Sequence, residues 1–379
     1  MAETPGSGHR RTLNVAYLGP EASFSHQAAI EVFQPSSSSA ELQRSISLHP
    51  LPSFPAIFSA VQHSRPHPPQ PSSSSPSRSD QQFQYDYALL PIENSTNGSV
   101  VQVLDLLAQC GLDSNALYPD LEVCAEYYLP VHHCLFVSSD ASASTSSPLD
   151  NGAEEELRAA IRTLYTHPQV WGQCARYLSR FSPKEVERID VGSTSAAAQL
   201  VSRQPNSPTT SGLNAAISSK LAGQRHGLLC LAENIEDEPG QNTTRFLVVR
   251  NKRHALHPHS TLDYASLQNN HGQGEERHKS LITFTIPHTK PGALADTLAV
   301  FKSHGFNLTS IDTRPSRRRS WQYVFFVECE EARPRKESTG EETRILEMVQ
   351  ELGKFTESLR YLGRFVDQLS REDEEGRNG

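Results

Sequence analysis

The chain of 379 residues carries 35 Lys and Arg against 43 Asp and Glu, a formal net charge of -8, with hydrophobic residues at only 36%. That balance gives no general pull toward nucleic acid or an anionic membrane, so an anionic ligand has to be held by local groups. No apolar run is long enough to span a bilayer, residues 1–11 lack the apolar core of a secretion signal, and six cysteines without a Cys-x-x-Cys pair fit reduced thiols in a cytoplasmic protein.

The low hydrophobic content is local. Tracts at 34–40, 63–82, 138–151, 203–213 and 251–278 are rich in Ser, Pro, Asn and Gln, offer no apolar face, and read as loops or disorder. Between them, 13–18 reads as a strand, 24–33 as a helix, 47–51 as a strand, 54–62 as a helix and 87–91 as a strand. A helix over 100–109, with Ser99 as its N-cap, follows the corner Glu93-Asn94-Ser95. Residues 125–137 form a long β-rich stretch. A second series then predicts helices at 154–164 and 169–180, a strand at 186–191, a helix at 193–201, a strand at 215–218, a helix at 220–225 and strands at 228–231 and 243–249. Such alternation argues for an α/β fold with mostly parallel sheets, in two lobes joined by two crossing segments around a cleft.

After 278 the pattern changes to strand 280–286, helix 292–304, strand 306–312, strand 323–329, helix 341–353 and strand 360–365. This β-α-β-β-α-β order is the ferredoxin-like split. The expected organisation is a catalytic unit at 12–250 (lobe 1 at about 12–122 and 240–250, lobe 2 at about 123–239), a disordered linker at 251–278 and a second domain at 279–370.

The chemistry concentrates in Asn242-Thr243-Thr244-Arg245-Phe246. A hydroxyl can donate to a leaving oxygen, a guanidinium can clamp a carboxylate, and a ring can wall a small cyclic substrate or pack in the core. Asn94 and Ser95 lie at a strand end before a helix, where side chains and free amides can take an anion, and Ser193 and Thr194 open a second such N-terminus. Glu93 is either an acid or a hydrogen-bonded corner carboxylate. His132 and His133 are adjacent in an extended stretch without a carboxylate or Cys cluster, so they read as structural rather than metal-binding.

Tyr17-Leu18-Gly19-Pro20 with Ser23-Phe24-Ser25-His26-Gln27-Ala28, Pro91-Ile92-Glu93-Asn94-Ser95, Leu129-Pro130-Val131-His132-His133, His167-Pro168-Gln169 with Gln173-Cys174, Ala232-Glu233-Asn234-Ile235 and Asn242 to Phe246 occur in one order. In that order they resemble prephenate dehydratase. Pro291-Gly292-Ala293-Leu294, Asn307-Leu308-Thr309 and Asp312-Thr313-Arg314-Pro315 resemble its amino-acid-binding ACT domain. The resemblance implies a two-lobed catalytic domain like a type II periplasmic binding protein, followed by a βαββαβ ACT domain. It implies dehydration and decarboxylation of prephenate to phenylpyruvate with no cofactor and no metal, feedback control by phenylalanine, and a homodimer or homotetramer.

Carried onto this chain, the resemblance makes Thr244 the hydrogen-bond donor to the departing hydroxyl, with Glu93 as the alternative acid. Asn94, Ser95, Ser193, Thr194, Arg245 and Phe246 become substrate contacts, and Gly292, Ala293, Leu294, Asn307 and Leu308 the phenylalanine site. Ala22, Ser195 and Asp312-Thr313 depart from the family's usual Gly, Ala and Glu-Ser. About a dozen residues precede the first strand, leaving no room for a fused chorismate mutase bundle. Two other readings stay open: arogenate dehydratase, and a non-catalytic amino-acid-sensing clamshell.

Overall fold

The computed structural model describes residues 12–34, 46–64, 84–110, 116–144, 151–182, 184–204, 212–238, 240–253, 277–331 and 341–369. Most of the five Ser/Pro-rich tracts, including the expected linker, lie outside the described residues.

In chain order the elements are β1 (Leu13–Leu18), α1 (Phe24–Phe33), β2 (Ile46–Leu51), α2 (Phe54–Gln62), β3 (Tyr87–Asn94), β4 (Gly98–Ser99), α3 (Val101–Leu107) and β5 (Leu121–Pro130). There follow β6 (Cys134–Ser138), α4 (Asn151–Ala160), β7 (Ile161–Thr166), α5 (Pro168–Gln173), α6 (Ala175–Leu178), β8 (Glu187–Asp190), α7 (Thr194–Arg203), β9 (Leu213–Ser218), α8 (Lys220–Arg225), β10 (Leu228–Ala232) and β11 (Thr243–Asn251). The last unit holds β12 (His278–Thr285), α9 (Ala293–Ser303), β13 (Phe306–Pro315), β14 (Tyr323–Glu331), α10 (Glu341–Leu352) and β15 (Ser358–Val366).

Lobe 1 is one sheet in the order β2-β1-β3-β11-β5, with β4 hydrogen-bonded to β3. β1 runs parallel to β2 and β3, whereas β11 is antiparallel to both β3 and β5. Lobe 2 has the order β10-β6-β9-β7-β8, parallel on the β7 side and antiparallel at β6 and β10. The expected mostly parallel sheets are therefore mixed. β11 brings the chain back to lobe 1 and enters antiparallel between β3 and β5, and in lobe 2 β6 is antiparallel to both β9 and β10.

Four sequence expectations need correction. β5 pairs with β11 along its whole length, so lobe 1 extends to Pro130 and lobe 2 begins after it, not at 123. The helix expected at 154–164 stops at Ala160, and 161–166 is a strand. Leu157, Ile161 and Leu164 share helical spacing and all reach the lobe 2 core, which hides the change of period. The helix expected at 169–180 breaks at Cys174. Ser99 does not cap α3, whose N-cap Val100 makes no side-chain bond. The hydroxyl of Ser99 goes instead to Asp312.

Capping explains the helix starts that face lobe 2 and lobe 1 alike. Ser23, Ser53, Ser193 and Ser219 are N-caps in extended conformation, and each hydroxyl accepts from the amide three residues on. Each such cap contributes about 1 kcal/mol.

The third sheet, β13-β14-β12-β15, packs face to face on lobe 1. One apolar cluster joins Ala16, Leu90, Leu247 and Val249 of lobe 1 to Leu281, Phe326, Leu362 and Phe365 of the ACT-like sheet. The backbones approach closely at Gly363, which has a φ of 148°; a Cβ there would lie 1.9 Å from the carbonyl oxygen of Val123. Arg360 reinforces the seam by donating to the carbonyls of Pro119 (2.7 Å) and Leu121 (2.9 Å). Gly363→Ala should therefore force the two sheets apart and lower stability by about 1–3 kcal/mol. Thermal unfolding of the full chain checks this, and an unchanged midpoint would show that the seam yields freely.

Candidate active site

Thr244 is the second residue of β11, where it pairs with Asn94 at the end of β3 and with Leu129 near the end of β5. This is the edge of lobe 1 at which β1, β2 and β3 present their carboxyl ends. Ligands of open α/β sheets favour such an edge. The Asn94 side-chain nitrogen donates to Thr244 Oγ1 at 3.0 Å and to Asn242 Oδ1 at 2.8 Å. Its oxygen accepts from the amides of Thr96 (3.1 Å) and Asn97 (3.0 Å), which fixes the orientation of the amide. A threonine oxygen that accepts from Asn94 keeps its own proton for another acceptor. The donor capacity expected of Thr244 is thus available, and Asn94 is the group that polarises it.

Ser95 ties the two ends of the site together rather than standing free. Its hydroxyl donates to the carbonyl of Gln241 and accepts from the amide of Thr243 at 2.9 Å. Asn242, 5% exposed, leaves Nδ2 without a partner among the described residues.

The crossovers between the lobes run past this point and bond to each other. The Val131 amide donates to Asn242 O at 2.7 Å and the Ile235 amide to His133 O at 2.9 Å. Glu236 anchors both histidines, accepting from the His133 amide at 3.0 Å and pairing with His132 Nδ1 at 2.7 Å. His133 Nε2 meets Gln173 Oε1 at 2.8 Å, and its ring stands edge-on to Phe24 of α1. Their structural reading agrees with this placement.

In lobe 2, Ser193 caps α7 by accepting from the Ala196 amide, and Thr194 is buried beside it. The 19–23 loop of lobe 1 sits directly on the starts of α7 and α8. Ser195 donates to Glu21 O at 2.7 Å, Ser219 donates to Ala22 O at 3.5 Å, and Arg225 pairs with Glu21. Ala22 packs there against Ala198 and Ala222 with a φ of 62°. A left-handed alanine costs about 1–2 kcal/mol that glycine would not. The unusual Ser195 hydroxyl is thus a contact between lobes.

Three expected site residues are not brought to Thr244. Arg245 follows Thr244 on a strand, so its side chain takes the opposite face. It is buried against the ACT-like sheet: Nε donates to Glu126 at 2.8 Å, and Nη2 reaches Glu126 at 2.6 Å and Glu328 at 2.9 Å. Burial disfavours its charge, but the carboxylates of Glu328 and Glu126 outweigh that and hold it protonated. A guanidinium so committed is not the expected substrate clamp.

Glu93 pairs in register with Arg245 and lines a small cavity with Arg245, Asp312 and Glu328 on that same face. A bulge causes this: β3 offers Ile92 as an extra residue between Pro91, opposite Phe246, and Glu93, opposite Arg245. Ile92 and Glu93 therefore share a face, and Asn94 swings to the side of Thr244. Phe246 does lie on the Thr244 face, but it is 1% exposed and packs with Tyr17, Leu89 and Val248 beneath α1. It is a core residue, not a wall of the site.

Within the third unit, Gly292 at φ 80° caps α9, Ala293 is buried, and Leu294 and Leu308 pack at the margin of that core. Asn307 donates to Glu330 at 3.0 Å. Sequence reasoning gave Asn242 no role of its own and missed Glu126, Glu236 and Glu328. Strand parity could have separated Thr244 from Arg245, whereas nothing in the sequence announces the bulge at Ile92.

The crossover clasp is pH-sensitive. Burial alone would raise the Glu236 carboxyl, but bonds from the His133 amide and the His132 ring outweigh it, so it titrates below its ordinary 4.5. A depressed carboxylate adds stability above its unfolded pKa and loses it as pH falls through the folded value. Glu236→Gln should cost about 1–3 kcal/mol near neutrality and flatten the loss of stability below about pH 4.5. Thermal midpoints across that range measure both effects, and parallel curves for the two proteins would contradict the clasp.

The model of the family described as prephenate dehydratase matches residues 69–254, and that of the ACT domain matches 280–341. The chain is 32% identical over 336 residues to a protein described as a probable prephenate dehydratase of Saccharomyces cerevisiae, covering 84% of this chain and 87% of that one. In fold it is similar to a prephenate dehydratase of Arthrobacter aurescens crystallised with L-Phe, with a TM-score of 0.62, 22% identity and coverage of 94% and 90%. It is equally similar to GqqA, described as a novel type of quorum quenching acylase, with a TM-score of 0.62, 21% identity and coverage of 94% and 99%. At those identities structural likeness carries the fold alone; the sequence relatives and the ordered motifs carry the rest. The chain belongs to the prephenate dehydratase family of hydro-lyases and bears an ACT domain.

Proposed function

We propose that the chain converts prephenate to phenylpyruvate, with Thr244 Oγ1 donating the hydrogen bond to the departing ring oxygen and Asn94 polarising it. The ring carboxylate leaves as carbon dioxide, its bonding pair enters the ring, and the opposite carbon–oxygen bond breaks. One proton taken up turns the departing hydroxide into water. Aromaticity supplies the driving force, so the protein has to hold two carboxylates and stabilise the leaving oxygen. A positioned donor contributes about 10²–10⁴-fold to such a step.

The observation that carries this reading is the bond from Asn94 to Thr244, which leaves the threonine proton free at the cleft edge. The carboxylates fall to the amides that open α7, at Thr194 and Ser195 behind the cap Ser193, and to those behind Ser23 in α1. Arg245 has no part in binding them, and Ser95 shapes the site by joining its two ends. A cytoplasmic setting belongs to the reading and suits six thiols without a disulfide.

Thr244→Ala should lower kcat by about 10²–10⁴-fold with little change in KM, measured as phenylpyruvate formed from prephenate. A turnover number like that of the unaltered chain would remove Thr244 from the mechanism. Arogenate assayed beside prephenate decides the substrate, and a higher kcat/KM for arogenate would overturn this choice.

Regulation is part of the same proposal. Gly292, Ala293, Leu294, Asn307 and Leu308 would receive phenylalanine, its carboxylate meeting the amides at the start of α9, in a homodimer or homotetramer formed through the ACT sheets. The relative from Arthrobacter aurescens, crystallised with L-Phe, supports that effector. Leu308→Lys should relieve inhibition by phenylalanine while basal turnover stays unchanged. Full inhibition in that variant would exclude the pocket.

A further inference from the structure

The ACT sheet holds both halves of the pair that makes up the proposed donor. Thr244 is held through its neighbour. Arg245 is gripped by Glu126 of β5 in its own lobe and by Glu328 of β14, all three side chains being less than a tenth exposed. Lys279 of β12 joins the group, with Nζ at 3.3 Å from Glu126 and 2.7 Å from Asp367, and the Gln368 amide donates to Glu126 at 3.0 Å. Asn94 is held through its hairpin. Asn94 pairs with Gly98 and Glu93 with Ser99, whose hydroxyl donates to both carboxylate oxygens of Asp312 at 3.2 Å. Arg314 fixes the same corner from its own side, with Nε donating to Asp105 of α3 at 2.6 Å.

These contacts lie on the face of β3 and β11 away from Thr244 Oγ1, so none of them touches a substrate at the cleft. They fix instead the pleat of the two strand ends from which Thr244 and Asn94 project. A Cβ hydroxyl has little freedom apart from its strand, so moving residue 245 moves the donor. Burial makes the grip firm: a buried pair that loses one partner leaves an uncompensated charge, which the chain avoids by keeping its geometry.

We propose that Glu328 and Asp312 are positioning residues for the dehydration, so that the ACT sheet is part of what assembles the catalytic donor. The inference rests on Thr244 as that donor. It also gives the regulatory domain a physical handle, because Glu328 of β14 bonds the neighbour of Thr244 and Asp312 of β13 bonds Ser99, which pairs with the neighbour of Asn94.

The test is a double-mutant cycle in the full chain. Glu328→Gln and Asp312→Asn are each made in the unaltered chain and in Thr244→Ala, and kcat and KM for prephenate are measured without phenylalanine. A displaced donor costs about ten- to a hundredfold in kcat. Both substitutions should therefore lower kcat by that order with KM within about twofold, and change kcat by less than about twofold once Thr244 is gone. An unchanged kcat, or the same fractional loss in both backgrounds, overturns the proposal, because a merely structural role does not depend on Thr244. Thr244→Ala alone reports on the underlying reading: full turnover there sinks the donor assignment whatever Glu328 does. Should Glu328→Gln not reach the circular dichroism spectrum of the unaltered chain, Asp312→Asn, at a hydroxyl contact rather than a buried ion pair, decides by the same criteria.

Discussion

Two consecutive residues of β11 cannot point the same way, and most of the site follows from that. Thr244 takes the face covered by α1, while Arg245 takes the face covered by the ACT sheet. The proposed donor and the contact with the ACT sheet thus lie on opposite sides of one strand, one residue apart. The buried carboxylates of Glu126 and Glu328 make the assignment firm, because an arginine held by both would have to break two charged contacts to turn toward a ligand.

A dianionic substrate in a chain of net charge -8 needs local donors. Under the proposed reading those donors are the backbone amides at the starts of α1 and α7, helices that Ser23 and Ser193 cap by accepting from the amides of His26 and Ala196. Amides cannot swing away or pair with a neighbouring carboxylate, so the site is organised before a ligand arrives. The loop at 19–23, packed on α7 and α8, joins the lobes at that place and includes Ala22 in a left-handed conformation.

Much of this architecture was legible in the sequence. Short apolar strands alternating with helical stretches marked two α/β lobes, and the change of pattern after 278 marked the ferredoxin-like unit. Ordered motifs singled out Thr244 and Asn94, and the fold bonds their two side chains at 3.0 Å. Strand order was not legible, because it depends on β11 returning to lobe 1 beside β5, and so the lobe boundary was misplaced. Period failed at 157–164, where apolar residues serve a helix and then a strand at the same spacing. The faces of Glu93 and Asn94 depend on a single bulged residue, Ile92, which has no sequence signature of its own. Arg245 was misread for a different reason: a guanidinium beside a catalytic hydroxyl suggests a shared ligand, until strand parity is applied.

The central claim is that Thr244 faces the ligand and Arg245 does not. A crystal structure of the full chain with an unreactive cyclic dicarboxylate bound between the lobes tests it most directly. The account predicts a ligand oxygen within hydrogen-bond reach of Thr244 Oγ1, carboxylates at the starts of α1 and α7, and Arg245 still held by Glu126 and Glu328. A guanidinium released from those partners and bonded to the ligand would contradict it.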